Sequence, residues 1–469
     1  MKKTRKHRQA RKAKRSSHAN VGVQTKKKVL DTKENRRSVF FVSSILLSIV
    51  VLGLALRIYH LQFYLENGGW DAMFYIRGAV KFSDLGWFAP SSARKGPPFT
   101  SLLCISFEAF GSNFLASKLV SLLAGSLLPV FVFLLGLEFF NKKVGFLSAL
   151  IVSINPLLIL YSDLVFREAL YSLLWTGCLY FTIVGFRGKT VYSIIGGVLF
   201  ALSSVTIPVG ILAAIGFIFF LFFQMAFRTK KTSKVEYKNL DVYFASGFLT
   251  LIPFLARNYL AFENPFIQWR GFAGFIGIYI GLMGLSIPYI LLSRVFGYSP
   301  RRHFFSTLFH KNSKVVKISL IALTGILATF IVTYEILKGP GEFAYIFVGL
   351  AKLLEILPFP ESLGFLSIFS FLVILYVIKS SHEATLGVFA LIFCVPGIAS
   401  GLTAHYLYYF DLSFDQVLTY SPTGPLNNRF RYVAPYIPLL AIFASYGIFL
   451  MVDKFTLKIL NKRNKKRRM

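Results

Sequence analysis

Long apolar runs recur along most of the chain, separated by short polar breaks. Runs of this length predict membrane-crossing helices, which satisfy their own backbone hydrogen bonds where lipid offers none. Candidate spans fall at 39–58, 113–137, 144–160, 165–186, 190–207, 209–227, 241–258, 271–293, 317–337, 363–378, 384–404 and 432–452. The connections are unequal. One set is short or merely basic, whereas the other contains the long stretches 59–112, 259–270, 338–362 and 405–431. Within the third of these, GEFAYIFVGLAKLLEI (341–356) is apolar with Lys/Glu breaks and predicts a helix lying at the membrane surface.

Composition agrees with the pattern. The 469 residues are 55% hydrophobic, 17% aromatic and only 15% charged, well below the charged share of soluble domains. The 51 Phe and 23 Tyr demand burial, which excludes a disordered chain. Charge then orients the spans. A formal net charge of +32 could suggest nucleic acid, but its placement points to a membrane. If residues 1–38 lie in the cytoplasm, twelve spans return residues 453–469 to the same side. The cytoplasmic segments then hold the whole surplus of Lys and Arg, and the charges left outside or within spans cancel. The expected organisation is a basic, disordered cytoplasmic tail (1–38), a membrane domain (39–452) and a basic cytoplasmic tail (453–469). Loop 59–112 faces outward. The protein is thus read as a multi-pass cell-membrane protein with both termini inside and its active site on the extracytoplasmic face. No nucleic-acid partner is expected, because no nucleic-acid-binding fold accompanies the basic tail. Cys104, Cys178 and Cys394 lie far apart in apolar stretches and define no disulfide or metal framework.

Long ordered loops usually carry function, which directs attention to the outer face. There is no P-loop, no GxGxxG opening a helix and no His-based metal pair. In the first outer loop, Asp71 follows Gly68, Gly69 and Trp70 and precedes a predicted short helix over 72–83. A carboxylate there can cap the helix, and it can also serve as a general base at the water side of the bilayer. Arg94 and Lys95 stand before Gly96-Pro97-Pro98, a rigid basic turn suited to a lipid phosphate and equally to an interfacial anchor. Asp163, Arg167 and Glu168 fall where the third and fourth spans meet, at or just inside the outer face. Ionisable residues inside spans are costly and usually functional or paired. Arg257 and Arg270 bracket the next outer loop, and Arg429 and Arg431 precede the last span. Each arginine alone can be an interface anchor. With Lys95 they form a set of outer cations able to converge on one phosphate.

The order of these pieces resembles the membrane glycosyltransferases of the C-type fold (GT-C), and most of all the branch of protein O-mannosyltransferases and lipid A aminoarabinose transferases. The resemblance rests on LALRIYHL at the end of the first span, Asp71-Ala72 in place of an Asp-Glu pair, Lys95-Gly96-Pro97-Pro98 and GSNFLASKLVSLLAGSLLPVF. It continues through Asn155-Pro156 with Glu168, Arg257-Asn258-Tyr259, and Arg431-Tyr432 before a proline-bearing last span. It covers about residues 40–452. It implies an all-α polytopic GT-C-like bundle of about twelve transmembrane helices, whose long first extracytoplasmic loop carries surface helices. It also implies transfer of a sugar from a polyprenyl-phosphate carrier, dolichyl or undecaprenyl, to a protein, glycan or lipid acceptor. Asp71 would accept the acceptor's proton. Lys95, Arg94, Arg257 and Arg431 would hold the leaving phosphate, with Glu168, Asp163, Arg270 and Arg429 as further site candidates. No cofactor is expected, and a divalent metal is optional because phosphate already leaves well. A flippase for lipid-linked sugars, from a different class, would also need outer cations and many spans. It would not need a carboxylate base in a rigid first loop, and it should show an internal repeat that this sequence lacks. A membrane polysaccharide polymerase or ligase shares the lipid carrier but usually places its long loop late in the chain.

Overall fold

The computed structural model describes residues 39–61, 70–86, 97–186, 188–207, 237–265 and 437–468. They form helices α1 (Val39–Leu61), α2 (Trp70–Leu85), α3 (Pro97–Phe110), α4 (Phe114–Phe139), α5 (Lys142–Ile154), α6 (Pro156–Asp163), α7 (Glu168–Phe186), α8 (Thr190–Thr206), α9 (Tyr237–Phe262) and α10 (Ile437–Arg468). No strand occurs among the described residues. Four of these helices (α1, α4, α7 and α9) are long and apolar enough to cross a membrane, and the bent pair α5–α6 makes a fifth. The expected spans at 209–227, 271–293, 317–337, 363–378 and 384–404, and the surface piece 341–356, lie outside the described residues. So does the tail 1–38.

Local chemistry explains where the helices start. Asn113, Asn141 and Asn155 precede α4, α5 and α6, and each accepts a hydrogen bond from a first-turn amide, at 2.8, 3.0 and 3.1 Å. An asparagine carbonyl is well suited to this role because it satisfies an amide that the helix cannot. Two expectations need correction here. The span expected at 144–160 is not one rod: it breaks at Asn155-Pro156 and bends by 54°. Pro156 has no N–H to continue the α5 ladder, but its fixed φ suits the first turn of a new helix. The short helix expected at 72–83 begins at Trp70, so Asp71 lies inside its first turn rather than ahead of it. The apolar part of α10 ends at Asp453, and the same helix runs on through basic residues to Arg468.

Packing is close wherever side chains are small. Helix α4 lies against α3, α5, α6 and α7. α8 lies between α7 and α9, and α10 lies against α5 and α4. At the α4–α5 crossing a Cβ on Gly136 would stand 2.9 Å from the Cα of Gly145, and at α8–α9 a Cβ on Gly197 would stand 2.2 Å from the Tyr243 carbonyl. Only glycine allows helix backbones so near one another, and dispersion contacts at that range hold membrane helices together. Asn239 ties the far end of the α7–α9 layer. It donates to the Gly185 carbonyl at 2.7 Å and accepts from Thr190 at 2.9 Å, which serves one of the free carbonyls at the end of α7. Helix α1 packs through Ile49 on Phe133 of α4 and Ala149 of α5.

Candidate active site

The polar side chains gather where helices end. Arg57 and His60 lie in the last turns of α1, Lys118 in the second turn of α4, and Ser162 and Asp163 close α6. Arg167 and Glu168 open α7. The connections between them put these ends on one side of the bundle. Nδ1 of His60 meets Oδ2 of Asp163, and Ser121 of α4 donates to the Phe166 carbonyl at 2.9 Å.

Asp163 is the centre of this group. Its side chain is fully buried, whereas His60 keeps 31% exposure, so the imidazole forms the open side of the pair. Arg57 and Lys118, both buried, also act electrostatically on Asp163. One contacting imidazole and the field of two buried cations therefore compensate a carboxylate charge that burial would otherwise strongly disfavour. Arg57 spreads its donors over three helices. Nη1 donates to the Gly53 carbonyl at 2.8 Å and to the Ser153 carbonyl at 3.3 Å, and Nε donates to Ser162 Oγ at 3.0 Å. Ser162 Oγ in turn donates a hydrogen bond to the Leu158 carbonyl at 2.6 Å. Lys118 lies over the ring of Phe114 at 4.6 Å.

Glu168 is fully buried at the start of α7, where the helix dipole favours a carboxylate. With Gly125, Leu128, Tyr161, Ser162 and Ser172 it lines a narrow pocket between α4, α6 and α7. Arg257, near the end of α9, is also fully buried. Its guanidinium lies 5.2 Å from the ring of Phe82 on α2 and 5.8 Å from Phe262, and it donates to Asn258 Oδ1 at 3.0 Å. Arg257 therefore links α9 to the helix that carries Asp71.

Of the residues singled out in the sequence, the structure brings Asp163 into the charged cluster, places Glu168 beside its pocket and sets Arg257 among aromatic rings. Asp71 is fixed only as a first-turn residue of α2, its side chain lying outside what is described. Arg94, Lys95, Arg270, Arg429 and Arg431 lie outside the described residues. Sequence reasoning missed the parts played by Arg57, His60, Lys118 and Ser162. A signal was present: Arg57 and Lys118 are ionisable residues in apolar runs, and Arg57 and His60 share a helix face at i, i+3. Among the described residues no three His, Cys, Asp or Glu side chains form a metal-binding group.

Comparison with solved structures shows the GT-C-like membrane glycosyltransferase fold for this chain. The oligosaccharyltransferase of Archaeoglobus fulgidus, solved with Zn and sulfate, matches with a TM-score of 0.58 at 16% identity. The match covers 88% of this chain and 50% of that one. The oligosaccharyltransferase AglB from the same organism, solved with an inhibitory peptide and a dolichol-phosphate, matches with a TM-score of 0.58 at 15% identity, covering 90% and 52%. The chain thus spans about half the length of the solved structures it matches. Within it, residues 95–256 match the sequence model of the dolichyl-phosphate-mannose-protein mannosyltransferase family. No curated protein matches the chain.

Proposed function

We propose that this protein is a membrane glycosyltransferase that moves a sugar from a polyprenyl-phosphate carrier, dolichyl or undecaprenyl, to a protein, glycan or lipid acceptor on the extracytoplasmic face. The observation that carries the reading is the family match over residues 95–256, a stretch that contains α3 to α8, most of α9, and both Asp163 and Glu168. The dolichol-phosphate bound by AglB supports a carrier of that chemistry.

In this reading Asp71 takes the proton of the acceptor hydroxyl as its oxygen attacks the anomeric carbon. The bond from that carbon to the carrier's phosphate oxygen breaks, and the electron pair leaves on the lipid phosphate. One displacement inverts the anomeric configuration. The growing negative charge calls for preorganised cations, a role for Lys95, Arg94, Arg257 and Arg431. Asp163, Glu168, Arg270 and Arg429 complete the set of site candidates. A divalent metal is optional, because the leaving group is already an anion of low basicity. The test is incubation of the purified protein with a panel of polyprenyl-phosphate sugars and an assay for released lipid phosphate. Release with at least one donor is expected. No release from any donor, with acceptors of all three classes present, sinks the proposal.

A further inference from the structure

We infer that Arg57 is a positioning residue: it ties the first span to both halves of the broken span α5–α6, and so fixes where Asp163 is presented. The break at Asn155-Pro156 creates the need for it. The last carbonyls of α5 have no amide to continue the ladder, and α6, only eight residues long, takes its direction from contacts to neighbouring helices. Arg57 meets both needs. Nη1 serves the Ser153 carbonyl at the end of α5, and Nε holds Ser162 on α6. One turn further along α1, His60 contacts Asp163, the residue after Ser162. Arg57–Ser162 and His60–Asp163 are therefore successive rungs between the same two helices.

The neighbouring positions leave room for this clamp. A Cβ on Gly125 of α4 would fall 1.9 Å from Ser162 Oγ and 3.0 Å from Arg57 Nε, and a Cβ on Gly53 would fall 3.1 Å from Arg57 Nη1. Apolar packing does little of the same work. Only 11% of the apolar window of α1 is buried within the described residues, against 61% for α4 and 72% for α7. Nor is the clamp an economical stabiliser. Arg57 Nη2 and Asp163 Oδ1 are buried with no hydrogen-bond partner among the described residues, a cost that well-packed apolar side chains would avoid. A costly ionic device beside a buried carboxylate fits the placement of a reacting site better than the holding of a fold.

The inference rests on the glycosyltransferase reading only for its second test. The first reads geometry. With Cys at positions 60 and 163, a short bifunctional thiol reagent should link α1 to α6 in membranes, detected as a joined peptide pair by mass spectrometry. Adding Arg57→Met should cut the linkage several-fold, and Arg57→Lys should restore part of it. Linkage unchanged by Arg57→Met overturns the inference. The second test reads transfer, with His60 and Asp163 intact. Ser162→Ala removes only the acceptor of Nε. Ser162→Ala and Arg57→Met should each lower transfer, by up to roughly a hundredfold, the scale of a small misplacement of reacting groups. They should also change the shape of the pH profile, through the groups around Asp163: His60 and Arg57 on α1 and Lys118 on α4. A profile that is merely scaled down in both variants marks loss of folded protein and counts against positioning. Absence of transfer in the parent sinks the glycosyltransferase reading and leaves the linkage result standing.

Discussion

Asp71 and Asp84 sit at opposite ends of α2, and that difference separates their expected roles. Asp71 occupies the first turn, where free amides and the helix dipole favour a carboxylate, and Asp84 is exposed near the end, where the dipole opposes one. Asp71→Asn keeps the shape but removes the base, so transfer should fall by about 10²–10⁴-fold. Asp84→Asn should stay within a few-fold of the parent. Equal losses would mean the base is misassigned, with Asp163 and Glu168 the next to test. Arg257 carries a second prediction. Its guanidinium packs on Phe82 and Phe262, so Arg257→Ala should loosen α9 from α2 as well as weaken donor use. The aromatic contacts alone are worth about 0.5–2 kcal/mol, which thermal unfolding in detergent should register. Lys95→Ala should weaken donor use by about ten- to a hundredfold with no such loss of stability. Parent-like transfer by both variants would make them anchors. At this scale the sequence exposed Asp163, Glu168 and Arg257 because charged residues stand out in apolar surroundings. It did not expose the His60–Asp163 contact, which joins positions 103 apart in the chain and forms only once α1 packs beside α6.

Among the elements, the broken span α5–α6 shows what periodicity can and cannot show. The apolar run across 144–160 is continuous, and hydropathy therefore reads one span. The bend comes from the missing N–H of Pro156 and the capping oxygen of Asn155, which act on backbone hydrogen bonds and leave the apolar pattern unchanged. The ends of α4, α7, α8 and α9 fall within a few residues of the expected spans because length and apolarity set them. Helix contacts add a prediction here. Gly197→Ala would put a methyl group 2.2 Å from both the Tyr243 carbonyl and Ser246 Oγ. Overpacking of this kind costs roughly 1–3 kcal/mol, so the thermal midpoint in detergent should drop by several degrees. A midpoint unchanged from the parent would mean that α8 and α9 do not cross at this glycine.

For the whole molecule, the surplus of Lys and Arg on one side of the expected spans predicts a topology with residues 59–112 outside and both termini inside. A cysteine at position 91 should react with an impermeant thiol reagent added to intact cells, and one at position 233 should not. The opposite pattern would place the proposed base on the wrong side of the membrane. The GT-C-like fold was legible through the order of weak motifs along the chain, because the fold arranges its loops and helix ends in that order. The sugar and acceptor were not legible, because few groups select them and those groups converge only in three dimensions. The central claim is that the protein breaks the bond between sugar and lipid phosphate, which a flippase would leave intact. The most direct measurement uses sealed proteoliposomes containing the purified protein and a polyprenyl-phosphate sugar labelled in the sugar. Label should move onto an added acceptor while free lipid phosphate accumulates, and Asp71→Asn should cut both by about 10²–10⁴-fold. Label that crosses the bilayer still attached to its lipid, with no free lipid phosphate and no effect of Asp71→Asn, would contradict it.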